Sequence, residues 1–239
     1  MRYLTLFLLC SSTLLSQHQA TSNDKYVWAT SGLVLRAEGN PQGKKLAVIP
    51  YGATVQLTGE WGEDLSIDII PVRQLDGEEL PGWEMLGQFV GVRYGELKGY
   101  AFNGYISNYD PKPLSVNFLA SGGKPGVAIV DTLHFLPSSA ESTHGELSLL
   151  YDNGITISSF WDKVGAGETI VVPNATLAAG YLLAAKWFQL NNYNPNGMAW
   201  KNAYLINKTP DSLTFKRDLE EVIIKEYFGV VIILYSVAC

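Results

Sequence analysis

The sequence predicts a mainly β protein in two parts. A small N-terminal β-barrel precedes a C-terminal α+β domain in which one helix covers an antiparallel sheet. Three observations carry this. Short apolar stretches separated by Gly, Pro and Asn turns run from Lys25 to Ile106. Two alternating runs, Glu146 to Tyr151 and Ile155 to Phe160, flank Asp152-Asn153-Gly154, whose Asn-Gly pair signals a type I′ hairpin. Only one persuasive helical pattern occurs, from Thr176 to Leu190.

Taken in order, Lys25 to Ala29 reads as a strand that turns at Ser31-Gly32, and Leu33 to Arg36 leads into the turn-rich Glu38 to Gly43. Leu46 to Ile49 precedes Pro50-Tyr51-Gly52, and Thr54 to Leu57 alternates with period two. Phe89 to Tyr94 and Gly99 to Ile106 complete the N-terminal set. From Glu60 to Glu84 eight acids face Arg73 alone, which predicts a long, solvated acidic loop over residues 60–84. Its spacing does not fit a calcium-binding loop. The prolines of Asp110-Pro111-Lys112-Pro113 mark a linker, so the domains are expected at 22–110 and 113–239.

In the second part Val127 to Phe135 reads as a strand, Gly165 to Glu168 as a turn and Thr169 to Val172 as a strand. Asn174, after Pro173, is placed to cap the helix. Leu177, Tyr181, Ala184, Ala185 and Phe188 give that helix one apolar face, and Asn191 to Gly197 ends it. Leu213 to Arg217, Glu221 to Glu226 and Val230 to Val237 finish as strands.

Composition narrows the function classes. Of 239 residues, 47% are apolar and 17% charged, which excludes a disordered polymer. The net charge of −6 argues against a general nucleic-acid binder, which needs clustered Lys and Arg. At the N-terminus, Met1-Arg2, the Leu-rich stretch Leu4 to Leu15 and the polar Ser16 to Gln19 form a secretory signal over residues 1–20. That stretch is shorter than the ~20 residues of a spanning helix. Lipidation at Cys10 is the alternative, but Leu9 stands where a small residue is required. Cleavage leaves Cys239 as the single thiol, so the exported chain has no internal disulfide. The expected location is extracytoplasmic, periplasmic or secreted, with no transmembrane segment once the signal is removed.

Residues 26–109 carry a resemblance. Ser31-Gly32-Leu33-Val34-Leu35-Arg36 resembles the opening of bacterial Src-homology-3 (SH3-like) domains, and Val48-Ile49-Pro50-Tyr51-Gly52-Ala53-Thr54-Val55 their central hairpin. Val90-Gly91-Val92-Arg93-Tyr94-Gly95, followed by Gly99-Tyr100-Ala101-Phe102 and Tyr105-Ile106, is similar to their closing strands. The chain departs from the family at Val34, where Asn is usual, and in the roughly twenty extra residues between Glu60 and Trp83. The resemblance implies an SH3-like barrel that binds peptidoglycan stem peptides, another envelope polymer or a protein partner. It also places Gly99 against a neighbouring backbone. Arg36 is read as locking a loop rather than touching a ligand.

Catalytic motifs are not found. A papain-like site needs a Cys oriented by a His, and Cys239 at the chain end has no such setting. His134 and His144 do not form a zinc set, so no metal or cofactor is expected. Gly122 to Gly126 lacks the phosphate-loop frame. What remains is aromatic surface, because Trp28, Tyr51, Trp61, Trp83, Tyr94, Tyr100, Phe102 and Tyr105 crowd one small domain. Trp28, Tyr51, Trp83, Tyr94, Tyr100, Phe102 and Tyr105 are the candidate ligand-binding residues. The sequence is therefore read as an exported, non-catalytic protein whose module binds a cell-wall polymer or an envelope protein. Two other readings stay open. One makes the C-terminal domain an interaction or inhibitor domain tethered by the module, and the other makes the chain a hydrolase using a carboxylate pair.

Overall fold

The computed structural model describes residues 24–112, 128–136, 144–191 and 201–238. Residues 1–20, expected as a secretory signal, Cys10, Cys239 and residues 122–126 lie outside them, as does most of the stretch expected to end the helix. The fold is mainly β, with two large antiparallel sheets, a separate two-stranded hairpin and one α-helix among the described residues.

The first sheet is built from β1 (Asp24–Val27), β2 (Leu33–Arg36), β3 (Lys45–Ile49), β4 (Thr54–Ile70), β7 (Trp83–Tyr94), β8 (Leu97–Phe102) and β9 (Ile106–Ser107). Their order is β3-β2-β8-β7-β4-β1-β9. A 3-10 turn, Asn103–Tyr105, joins β8 to β9. Leu33 and Leu35, Val90 and Val92, and Val55 point into a shared core. Arg36 closes the loop after β2, its Nη1 donating to the Gly43 carbonyl at 2.8 Å. Gly39 and Gly62 make a close backbone approach, with Glu63 N–H donating to the Gly39 carbonyl at 2.7 Å.

The acidic stretch is not a loop. Residues 60–84 form the ends of β4 and β7, paired from Trp61↔Val90 to Ile70↔Trp83, and a small hairpin of β5 (Arg73–Leu75) and β6 (Glu78–Leu80). Leu65, Ile67 and Ile69 alternate with Ser66 and Asp68 and pack against the core, while the acids take the outer positions. Asp76 (φ 53°) and Gly77 (φ 87°) supply the two left-handed residues of a type I′ turn.

The second sheet contains β10 (Ile129–Leu136), β11 (Gly145–Tyr151), β12 (Thr156–Trp161), β13 (Gly165–Pro173), β14 (Tyr204–Thr209), β15 (Ser212–Arg217), β16 (Glu220–Tyr227) and β17 (Val230–Ala238). Its order is β10-β11-β12-β13-β17-β16-β15-β14. Gly165 to Glu168, expected as a turn, belongs to β13 and pairs with β17 from Gly165↔Ala238 onward. The Asp152-Asn153-Gly154 hairpin forms, but only Gly154 has positive φ (83°). It is a type I turn closed by Gly154 N–H to the Tyr151 carbonyl and followed by a left-handed glycine, rather than type I′.

Helix α1 (Leu177–Trp187) is capped by Thr176, whose hydroxyl accepts from Ala179 N–H; Asn174 sits at φ 51° and does not cap it. The expected single apolar face is too narrow a description. Leu177, Ala179, Gly180, Tyr181, Leu183, Ala184, Ala185 and Trp187 are all buried, because the helix lies between the two halves and is covered on both sides. Gly180 lets it sit on β17, where an added Cβ would meet Val231 Cγ1 at 2.5 Å. One continuous buried cluster runs from Val27 and Trp28 through Tyr109 to Ile233 and Tyr235.

Candidate binding cleft between the two sheets

The halves meet along α1. Trp83 packs on Tyr181 with ring centroids 4.8 Å apart, and Tyr181 stacks in turn on Phe215. Tyr109 Oη donates to the Pro173 carbonyl at 2.5 Å, and Trp28 Nε1 donates to the Tyr109 carbonyl at 2.7 Å. Lys186 donates to the Pro111 carbonyl and lies over the Trp28 and Tyr51 rings, 6.0 and 5.9 Å from their centroids. Burial holds the Lys186 pKa below the usual lysine value and raises that of Tyr181.

Beside this seam opens a cleft of about 790 Å³. One wall is the β4–β7 ribbon, presenting Leu57, Trp61, Glu84 and Leu86. The facing wall is the start of α1 with the β14–β15 turn, and Asn103, Gly104, Ile106 and Ser107 form part of the lining. Trp61 is 65% exposed and Leu86 74%, so the ribbon carries large apolar side chains that the fold leaves in water. Lys25 and Lys208 line the cleft as well. Lys25 is held by Asn108, whose amide also donates to the Asn174 carbonyl at 2.7 Å and bridges the two halves. The α1 N-terminus offers no open anion site at Leu177 or Ala179: their N–H groups are taken by Glu226 and Thr176.

The predicted aromatic set is mostly spent elsewhere. Trp28, Trp83 and Phe102 are buried, and Tyr51, Tyr94, Tyr100 and Tyr105 are half-buried. Of the seven, Trp83 alone lines the cleft. Trp28 and Tyr51 hold Lys186, and Tyr105 packs edge-on against Phe102. Sequence reasoning takes Leu57 for an inward-facing strand residue, whereas it is exposed; it misses Leu86 and passes over Trp61. The signal available was an apolar residue on the outer side of an acidic strand, visible only once the ribbon is recognised as a strand pair.

Two polar clusters lie outside the cleft. His134 Nε2 and His144 Nε2 both approach Glu146, at 3.2 and 2.7 Å, and hold its carboxyl below the usual range. Among the described residues no group of three His, Cys, Asp or Glu side chains is arranged to hold a metal. Glu168 on β13 is buried, with Ser159 Oγ donating to Oε1 at 3.2 Å and Oε2 without a hydrogen-bond partner. Burial pushes its pKa up to about 7.

Comparison with family models, curated proteins and solved structures finds no match to this chain. No described helix is long and apolar enough to cross a membrane.

Proposed function

We propose that this is an exported, non-catalytic envelope protein whose cleft between the two sheets holds a peptide-bearing ligand, either a peptidoglycan stem peptide or a protein segment. One observation carries the reading. The cleft is lined on one wall by Leu57, Trp61 and Leu86, large apolar groups left in solvent beside amide and ammonium groups that orient a ligand. The secretory pattern of residues 1–20 supports export. The resemblance of residues 26–109 to bacterial SH3-like modules supports an envelope ligand, in an SH3-like barrel elaborated by the β4–β7 ribbon.

The test is co-sedimentation of the purified protein with isolated envelopes, before and after protease treatment. Binding that survives protease assigns peptidoglycan, and binding that is lost assigns a protein. Trp61→Ala is expected to weaken either by about tenfold or more, the scale of an aromatic anchor. Absence of co-sedimentation with untreated envelopes at both low and high salt overturns the reading.

A further inference from the structure

The edge of β7 that borders the cleft carries backbone groups with no described strand beside them. Strand β8 pairs with β7 only from Phe89↔Phe102 onward, so from Trp83 to Gln88 the described partner of β7 is β4 alone. Gln88 N–H donates to Asn103 Oδ1 at 2.8 Å, which shows that the backbone at Gln88 points away from β4. The β4–β7 register is unbroken from Asp64↔Gln88 to Asp68↔Glu84. In an antiparallel pair the hydrogen-bonding direction alternates residue by residue. Leu86 and Glu84 therefore turn their N–H and C=O groups outward as Gln88 does. Both residues line the cleft.

Side chains add chemical character to this edge. Leu86 is exposed on the cleft side together with Trp61 and Leu57. Two residues along the same face, Glu84, whose carboxylate accepts from Ser66 Oγ, stands directly opposite Asp68, so two exposed carboxylates gather negative charge at this end of the edge. The whole ribbon, from Glu60 to Glu84, has eight acids against Arg73. Free strand-edge groups bind an extended backbone, and the alternate side chains set what that backbone carries.

We propose that the cleft takes an extended peptide that adds as a strand to the β7 edge at Glu84–Leu86, with an apolar residue against Leu86 and Trp61. Two positions along, the peptide carries a basic residue beside Glu84 and Asp68. This rests on the cleft being the ligand site, and narrows its occupant to a protein segment rather than a glycan.

The probe is a capped heptapeptide, Thr-Lys-Thr-Val-Thr-Lys-Thr, which presents Lys two residues from Val in either direction, titrated against the purified protein by fluorescence anisotropy. Saturable binding is expected. N-methylation of one alternating set of peptide amides is expected to weaken it by about tenfold or more, and of the other set by less than about twofold, because only one set faces β7. Leu86→Pro removes an N–H that β4 does not use, so the melting temperature is expected to hold while affinity falls by about tenfold. Equal effects of the two methylated sets, or no binding of the parent peptide up to ~1 mM, overturn the proposal. Protease-resistant envelope binding without peptide binding also overturns strand addition, while leaving the envelope role standing.

Discussion

Glu168 shows what one residue costs in this fold. It is 4% exposed on β13, opposite Ser159 on β12 and Tyr235 on β17, and its pKa rises from 4.5 to about 7 because burial penalises the charged form. A raised carboxyl pKa means that the folded state binds the proton more tightly than the unfolded chain. Stability is then fully present below about pH 4.5 and is lost as pH rises through about 7, by on the order of 3 kcal/mol. Glu168→Gln should melt higher than the wild type at pH 8, with the gap closing toward pH 4. Urea unfolding at several pH values measures this directly, and parallel curves for the two proteins would contradict it. Other single residues were legible beforehand. Arg36 locks its loop as expected, since a guanidinium beside a tight turn finds a carbonyl. The aromatic roles were not, because a Trp in a strand reads the same whether a ligand or a helix from elsewhere covers it.

At the scale of elements, the crossing of β2 and β8 depends on Gly99. A Cβ there would lie 2.3 Å from the Arg36 carbonyl oxygen and 3.1 Å from Leu46 Cδ1, so no side chain fits without moving backbone. Gly99→Val should destabilise the protein by about 1–3 kcal/mol, read as a lower thermal midpoint. An unchanged midpoint would mean that the strands do not cross in this register. Most strand positions follow from period-two alternation, including β2, β11, β12 and β17. The β4–β7 ribbon escaped because its eight acids outweighed the alternation of Leu65, Ile67 and Ile69. The helix was found and its cap was misplaced, since Asn174 and Thr176 are both good capping residues two positions apart. Only the backbone conformation at Asn174, with φ 51°, separates them.

For the whole molecule, the proline-marked linker suggested two bodies, yet α1 is shared between them. Trp83, Tyr109 and Trp28 on one side and Tyr181, Lys186 and Pro173 on the other form one continuous seam. Calorimetry of the intact protein should show one cooperative transition. Residues 22–110 alone should melt well below it, because truncation uncovers these aromatic rings. Two separate transitions in the intact chain would mean that the seam contributes little.

The sequence by itself determined the β class, helix α1, most of the described strands and the arginine that closes the loop after β2. These are consequences of local periodicity and of backbone geometry at particular residues. The tertiary structure alone decided which aromatics are core, that an acidic stretch is a paired ribbon, and that a cleft exists at all. Those depend on contacts between residues far apart in the chain: Trp61 with Val90 within the ribbon, and Asn108 with Asn174 and Tyr109 with Pro173 across the two halves. No window of sequence contains both partners, and the burial that assigns each ring its role exists only after they meet.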